Sequence, residues 1–156
     1  MAIKRSLHAI YVNTTPSATA TYVLEGKGVD ALTVDMSPKT ETNQDITQDT
    51  ATTDIVGYEP KSGVSKRADT TDPLFTYLNT MRVNRAIGAA AVTNIIVVDL
   101  WGTAVGGAYP AEKQSVSISI NSWGGDGGGN MVIEYEYGYR GDATKGTFNP
   151  TTKAFV

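Results

Sequence analysis

The chain has no cysteine and a single histidine, His8, and these two scarcities remove whole classes of chemistry. No disulfide framework, thiol nucleophile or cysteine-ligated metal site can be built. Zinc needs several His or Cys ligands, and a serine triad needs a histidine base and a nucleophile elbow, which the chain lacks. His8 reads as an exposed or pairing residue on an N-terminal arm. Long apolar runs are missing as well, since none approaches the roughly 18 residues of a membrane span. The opening "MAIKRSLHAIYVNTT" falls short of a signal peptide, because few apolar residues follow Lys4 and Arg5 and His8 and Asn13 interrupt them. The expectation is a soluble chain made in the cytoplasm. Nor is there an excess of positive charge: 13 basic and 16 acidic side chains are mixed along the chain, with a formal net charge of −3. No polybasic footprint for gripping nucleic acid results.

What is present is the pattern of a β protein. Short runs rich in Val, Ile, Thr and Tyr alternate with clusters of Gly, Asn, Asp and Ser. In "VDALTVDMS", Leu32, Val34 and Met36 share one face, with Ala31, Thr33 and Asp35 on the other. "SVSISIN" places Val116, Ile118 and Ile120 inward and its serines outward. "MVIEYEYGY" places Met131, Ile133, Tyr135, Tyr137 and Tyr139 on one face and Val132, Glu134 and Glu136 on the other. "NIIVVDLW" is apolar on both faces and predicts a central strand. One helix is predicted over about residues 73–87, with Asp72 as N-cap, Pro73 at the first position and Gly88 ending it. Leu74, Tyr77, Leu78 and Met81 form its apolar stripe. Arg85 continues that stripe, either as a snorkelling side chain or as an ion-pairing residue at a subunit contact. At 156 residues a single domain over 1–156 is expected. It carries an N-terminal arm of about residues 1–18 and a long polar loop over about 37–53, where Ile46 is the one large apolar residue.

Two glycine-rich stretches invite a phosphate-binding reading and fail it. In "NSWGGDGGGN" the glycine spacing of a dinucleotide fingerprint breaks at Asn130 and a strand follows instead of a helix, so the stretch predicts a hairpin turn. "GDATKGT" has two glycines at phosphate-loop spacing, but Thr147 stands where the lysine belongs, and a second turn is predicted. No calcium loop is present. Glu134 and Glu136 share a strand face as a glycosidase pair might, although neighbouring carboxylates on an exposed face are usually only solvated. The sequence therefore offers no catalytic group, cofactor site or metal site, and a structural or binding role is expected.

The closing "GDATKGTFNPTTKAFV", read with "SVSISINSWGGDGGGNMVIEYEYGYRG", resembles the C-terminal part of tail-tube (major tail) proteins of long-tailed bacteriophages and phage-tail-like particles. The order before it is similar too: "YVLEGKGVDALTVDMSPKTET", then "DIVGYEPKSGVSKRADTTDPLFTYL" leading into one helix, then "IIVVDLW". The resemblance implies a mainly β, antiparallel sandwich or barrel-like tail-tube fold with one helix packed against it. It implies a virion structural protein that self-assembles, in the host cytoplasm, into stacked hexameric rings. The hollow tube would surround a tape-measure protein, meet tail completion proteins and pass DNA transiently during ejection. Glu134 and Glu136 would then face the lumen, where carboxylates repel phosphate. Other readings are a type VI secretion-like tube protein, a monomeric β-sandwich module binding carbohydrate on Trp123 and Tyr135, Tyr137 and Tyr139, and a small hydrolase using Glu134 and Glu136.

Overall fold

The computed structural model describes residues 1–156. Ten strands and one α-helix follow in order: β1 (His8–Asn13), β2 (Tyr22–Leu24), β3 (Val29–Leu32), β4 (Pro38–Asn43), β5 (Thr52–Tyr58), β6 (Lys61–Arg67), α1 (Pro73–Asn84), β7 (Val92–Asp99), β8 (Tyr109–Gly124), β9 (Val132–Asn149) and β10 (Ala154–Phe155). All but β4 and β5 belong to one antiparallel sheet in the order β2-β1-β7-β8-β9-β6-β3, with β10 added to the end of β9. The sheet curls into a half-barrel, the barrel-like form of the expected architecture. Its concave turn is visible in the rings of Tyr11 on β1 and Phe148 on β9. They lie three strands apart in the sheet, yet their centroids are 4.7 Å apart.

The alternation in the sequence is spent on two apolar cores, one on each face. Ile10 and Val12, Ile95, Val116 and Ile118, Ile133, Tyr135 and Tyr137, and Val64 form the first, under Leu74, Phe75, Leu78 and Met81 of α1. Ala9, Tyr11, Ile96, Val98, Ala111 and Phe148 form the second, with Tyr22 closing it. β7 therefore needs apolar residues on both sides, as its sequence predicts: Ile95 and Ile96 are both fully buried and enter opposite cores. Phe148 is fully buried and packs on Tyr11 and Tyr22. Phe148→Ala is expected to cost about 3–5 kcal/mol, measurable by thermal or denaturant unfolding.

Several local expectations are corrected. Residues 1–18 are not a peripheral arm, because β1 inserts between β2 and β7 with five of its six residues buried. The polar segment 37–53 is not a structureless loop. It supplies β4 and the start of β5, which pair with each other as a hairpin whose residues are nearly all exposed. "GDATKGT" is no turn either, since β9 runs through it. Between the pairs Ser115↔Arg140 and Lys113↔Thr144, β9 holds three residues opposite a single one on β8. Gly141 takes a left-handed φ of 67° at that bulge. The Gln114 amide donates to the carbonyls of Arg140 and Gly141 that the bulge frees. Two extra residues keep the alternation in phase, so Phe148 lies on the same face of β9 as Glu134 and Glu136 and enters the second core.

The helix begins as predicted, with the Asp72 carboxylate accepting from the Leu74 N–H and Pro73 following. It ends three residues earlier than expected. Arg85 takes the helix-ending left-handed position at φ 48°, the Ala86 N–H closes onto the Met81 carbonyl, and Gly88 is left-handed at φ 57° only in the connection beyond. Arg85 is thus a terminator that points into solvent and does not continue the apolar stripe.

Candidate functional site

The glycine-rich stretch 121–130 is the hairpin between β8 and β9, and Gly128 supplies a left-handed turn position at φ 78°. Its role is geometric. It returns the chain so that β8 and β9 pair along most of their length and present one broad sheet surface.

Near this hairpin the sheet face opposite α1 is open. Alternation places Glu134, Glu136, Gly138 and Arg140 of β9 on it, beside Ser115, Ser117 and Ser119 of β8, and Gly63 and Ser65 of β6. Ser119 and Gly63 flank Glu136 on its two sides, and Ser65 lies across from Glu134. A one-residue bulge at Asn121 brings Ser122 opposite Glu134, where its hydroxyl donates to the carboxylate at 2.9 Å. Ile133, Tyr135 and Tyr137 point the other way into the core, as the sequence predicts. The surface is small-residue and hydroxyl-rich, and its charge is mixed. Lys61, Arg67 and Arg140 share it with the two glutamates, and Arg67 is paired with Asp30 at 2.7 Å. The carboxylates alone therefore do not set its sign.

An open edge borders this surface. β7 pairs with β8 only as far as Val92↔Ser117, so residues 118–124 of β8 are bonded to β9 on one side and to no strand on the other. A cleft of about 1330 Å³ runs along this edge, walled by Met81, Arg82 and Arg85 at the end of α1 and by the connection through Ile87 and Gly88. Arg85 thus stands beside unpaired strand backbone. Ile87 and Val83 nearby are 83% and 61% exposed. An unpaired edge of this length is a template for another chain unless something covers it.

The aromatic platform of a carbohydrate module is not formed. Tyr135 and Tyr137 are fully buried. Trp123 stacks on Phe75 at 5.7 Å and is capped by the Arg82 guanidinium 4.8 Å from its ring.

A buried polar centre, with little signal in the local sequence, lies where β6, α1 and β9 meet. β6 reads "KSGVSKR", polar at nearly every position, and its alternation is visible only once Ser62, Val64 and Lys66 are seen to be buried. The Lys66 and Glu25 side chains are 0% and 1% exposed and 3.3 Å apart, and Asp72 Oδ2 lies 2.9 Å from the same ammonium. Lys66 Nζ also donates to the Lys27 carbonyl at 2.6 Å. The hydroxyls of Tyr135 and Tyr137 donate to the two oxygens of Glu25, at 2.8 and 2.6 Å. Burial, and then the Glu25 charge, push both phenols far above their ordinary range, so they remain protonated donors. His8, by contrast, is half-exposed and pairs with Asp99 at 2.9 Å.

No protein-family model matches the chain, and no curated protein matches it. Among solved structures, it is similar to a chain from the tail of an empty GTA particle, determined with helical refinement in C6 symmetry. The two share 11% identity with a TM-score of 0.65 over 92% of this chain and 98% of that one. The half-barrel fold is therefore shared with that chain nearly end to end.

Proposed function

We propose that the chain is the tube subunit of a phage-like tail, a structural protein that forms hexameric rings stacked into a hollow tube. The observation that carries this reading is the near-complete overlap of its fold with a tail chain arranged in C6 symmetry. The open edge of β8 supports it physically. Pairing that edge with a neighbouring copy would satisfy the backbone groups of 118–124, and closure around a ring would leave no free edge in that layer. Arg85 and Ile87, beside the edge, would then lie at the subunit contact. In this reading the tube surrounds a tape-measure protein, meets tail completion proteins and conducts DNA, and the particle is assembled in the host cytoplasm.

The open sheet face, with Glu134 and Glu136, lines the lumen in this arrangement. Serine and glycine leave it smooth, and its glutamates offset the cations that would otherwise hold phosphate. Purified protein is expected to form rings or tubes as seen by negative-stain microscopy. A chain that stays monomeric at high concentration in several salts would contradict the proposal. Changing Glu134 and Glu136 together to lysine should leave tubes intact and slow DNA delivery, most strongly at low salt. Unimpaired delivery by well-formed tubes would place both residues outside.

Arg85 offers a test of the subunit contact that separates folding from assembly. Glycine at this left-handed position relieves about 1 kcal/mol of backbone strain, so Arg85→Gly should unfold no more easily than the native chain. If Arg85 lies at the contact, the same variant assembles more weakly by sedimentation. Native-like assembly would remove Arg85 from the interface.

A further inference from the structure

The centre formed by Lys66, Asp72 and Glu25 contains the components of an amide-forming reaction. A primary amine, a carboxyl group and a second carboxylate are sealed together, with side chains 0%, 4% and 1% exposed. We propose that Lys66 Nζ and Asp72 Cγ condense to an intramolecular isopeptide bond, with Glu25 as the proton carrier.

The hydrogen bonding of the three groups fits this chemistry. Nζ directs N–H bonds at the Lys27 carbonyl and at Glu25 Oε1. It lies 2.9 Å from Asp72 Oδ2, yet Oδ2 accepts no hydrogen bond of proper geometry from it or from any other donor. A neutral amine held by those two bonds keeps its lone pair free for the Asp72 carboxyl. The other oxygen, Oδ1, accepts from the Leu74 N–H at 3.1 Å. That donor sits where negative charge develops when Cγ becomes tetrahedral. Oδ1 remains as the amide oxygen and Oδ2 departs. Glu25 is fixed by the two tyrosine hydroxyls with one oxygen facing Nζ.

The atoms balance without any co-reactant. One proton moves from the ammonium to Oδ2 across their contact, giving an uncharged amine and an uncharged acid. Nζ then attacks Cγ, Glu25 takes a second proton from nitrogen, and that proton goes to Oδ2 as the C–O bond breaks. One N–C bond forms, one water leaves, and Glu25 is regenerated. Physical pressure favours the product, because three charges in a dry site are costly to keep and the amide removes two of them. The bond would tie the end of β6 to the first turn of α1, pinning the helix to the sheet.

Intact mass spectrometry of the full-length chain, denatured after purification, tests this directly. The expected mass is one water below that of the sequence. Trypsin should fail to cut after Lys66 and should release 62–67 joined to 68–82. Location matters, because ring closure at Asp126–Gly127 would lose the same mass; water loss there, with cleavage after Lys66 and 68–82 released alone, overturns the proposal. Full mass after long incubation of folded protein also overturns it. Asp72–Pro73 is the sole Asp–Pro bond in the chain and gives a second readout. Such bonds break in dilute acid through the free aspartate carboxyl, so the native chain should resist cleavage there. Glu25→Gln, with its fold checked by circular dichroism, should show full mass and be cut. A cross-link forming equally fast in Glu25→Gln overturns the role given to Glu25.

Discussion

Replacing residues 38–58 with a two-residue turn is expected to yield a subunit that folds normally and fails to build long tubes. The ends of the excised segment already meet, since the Glu59 N–H donates to the Ser37 carbonyl at 3.1 Å. Little of the core is lost, because every residue of β4 and all but Gly57 of β5 are exposed. A two-stranded hairpin is marginal in water by itself, yet this one displays Ile46, Ile55, Val56 and Tyr58, each more than half exposed. Such an arm gains stability by lying on something else, and in the proposed tube that is a copy in the adjacent ring. Thermal unfolding of the excised variant should match the native chain, while microscopy should show rings or short stacks. Tubes of normal length would exclude the hairpin from ring stacking.

Lys66→Met should damage the monomer about as much as removing the Phe148 ring. It removes the nitrogen that holds Asp72, as ammonium or as amide, and leaves Glu25 and Asp72 buried together with no partner between them, which costs about 3–5 kcal/mol. For a chain of this length that corresponds to a fall in melting temperature on the order of 10 °C. Adding Glu25→Gln to Lys66→Met should recover part of the loss, because one of the two stranded charges is gone. Circular dichroism melts of the single and double variants measure both effects. A Lys66→Met protein as stable as the native one would mean that the centre contributes nothing net.

Within β8 and the first half of β9 the alternation and the burial agree, whereas in "VDALTVDMS" the strand stops at Leu32 and Met36 is exposed. Val116, Ile118, Ile133, Tyr135 and Tyr137 go inward and Glu134 goes outward, because successive side chains of a strand must point to opposite faces. Asp72 and Pro73 mark the helix start because capping is local chemistry. The segments that were misread depend on distant partners. β4 and β5 are too polar to announce themselves and exist by pairing with each other. β9 passes through "GDATKGT" because β8 runs alongside and Gln114 satisfies the bulge. Arg85 ends the helix because the next residues must leave for β7.

The sequence by itself determined the β class, the single helix, the hairpin at the glycine cluster, and the faces taken by residues 115–120 of β8 and 132–137 of β9. All of these follow from local periodicity and capping. Only the tertiary structure decided that the sheet curls into a half-barrel with a core on each face, that residues 118–124 are left without a partner strand, and that Lys66 meets Glu25 and Asp72. Those outcomes depend on which strands lie side by side, and strand order is set by contacts between residues far apart in the chain, on which local pattern carries no information.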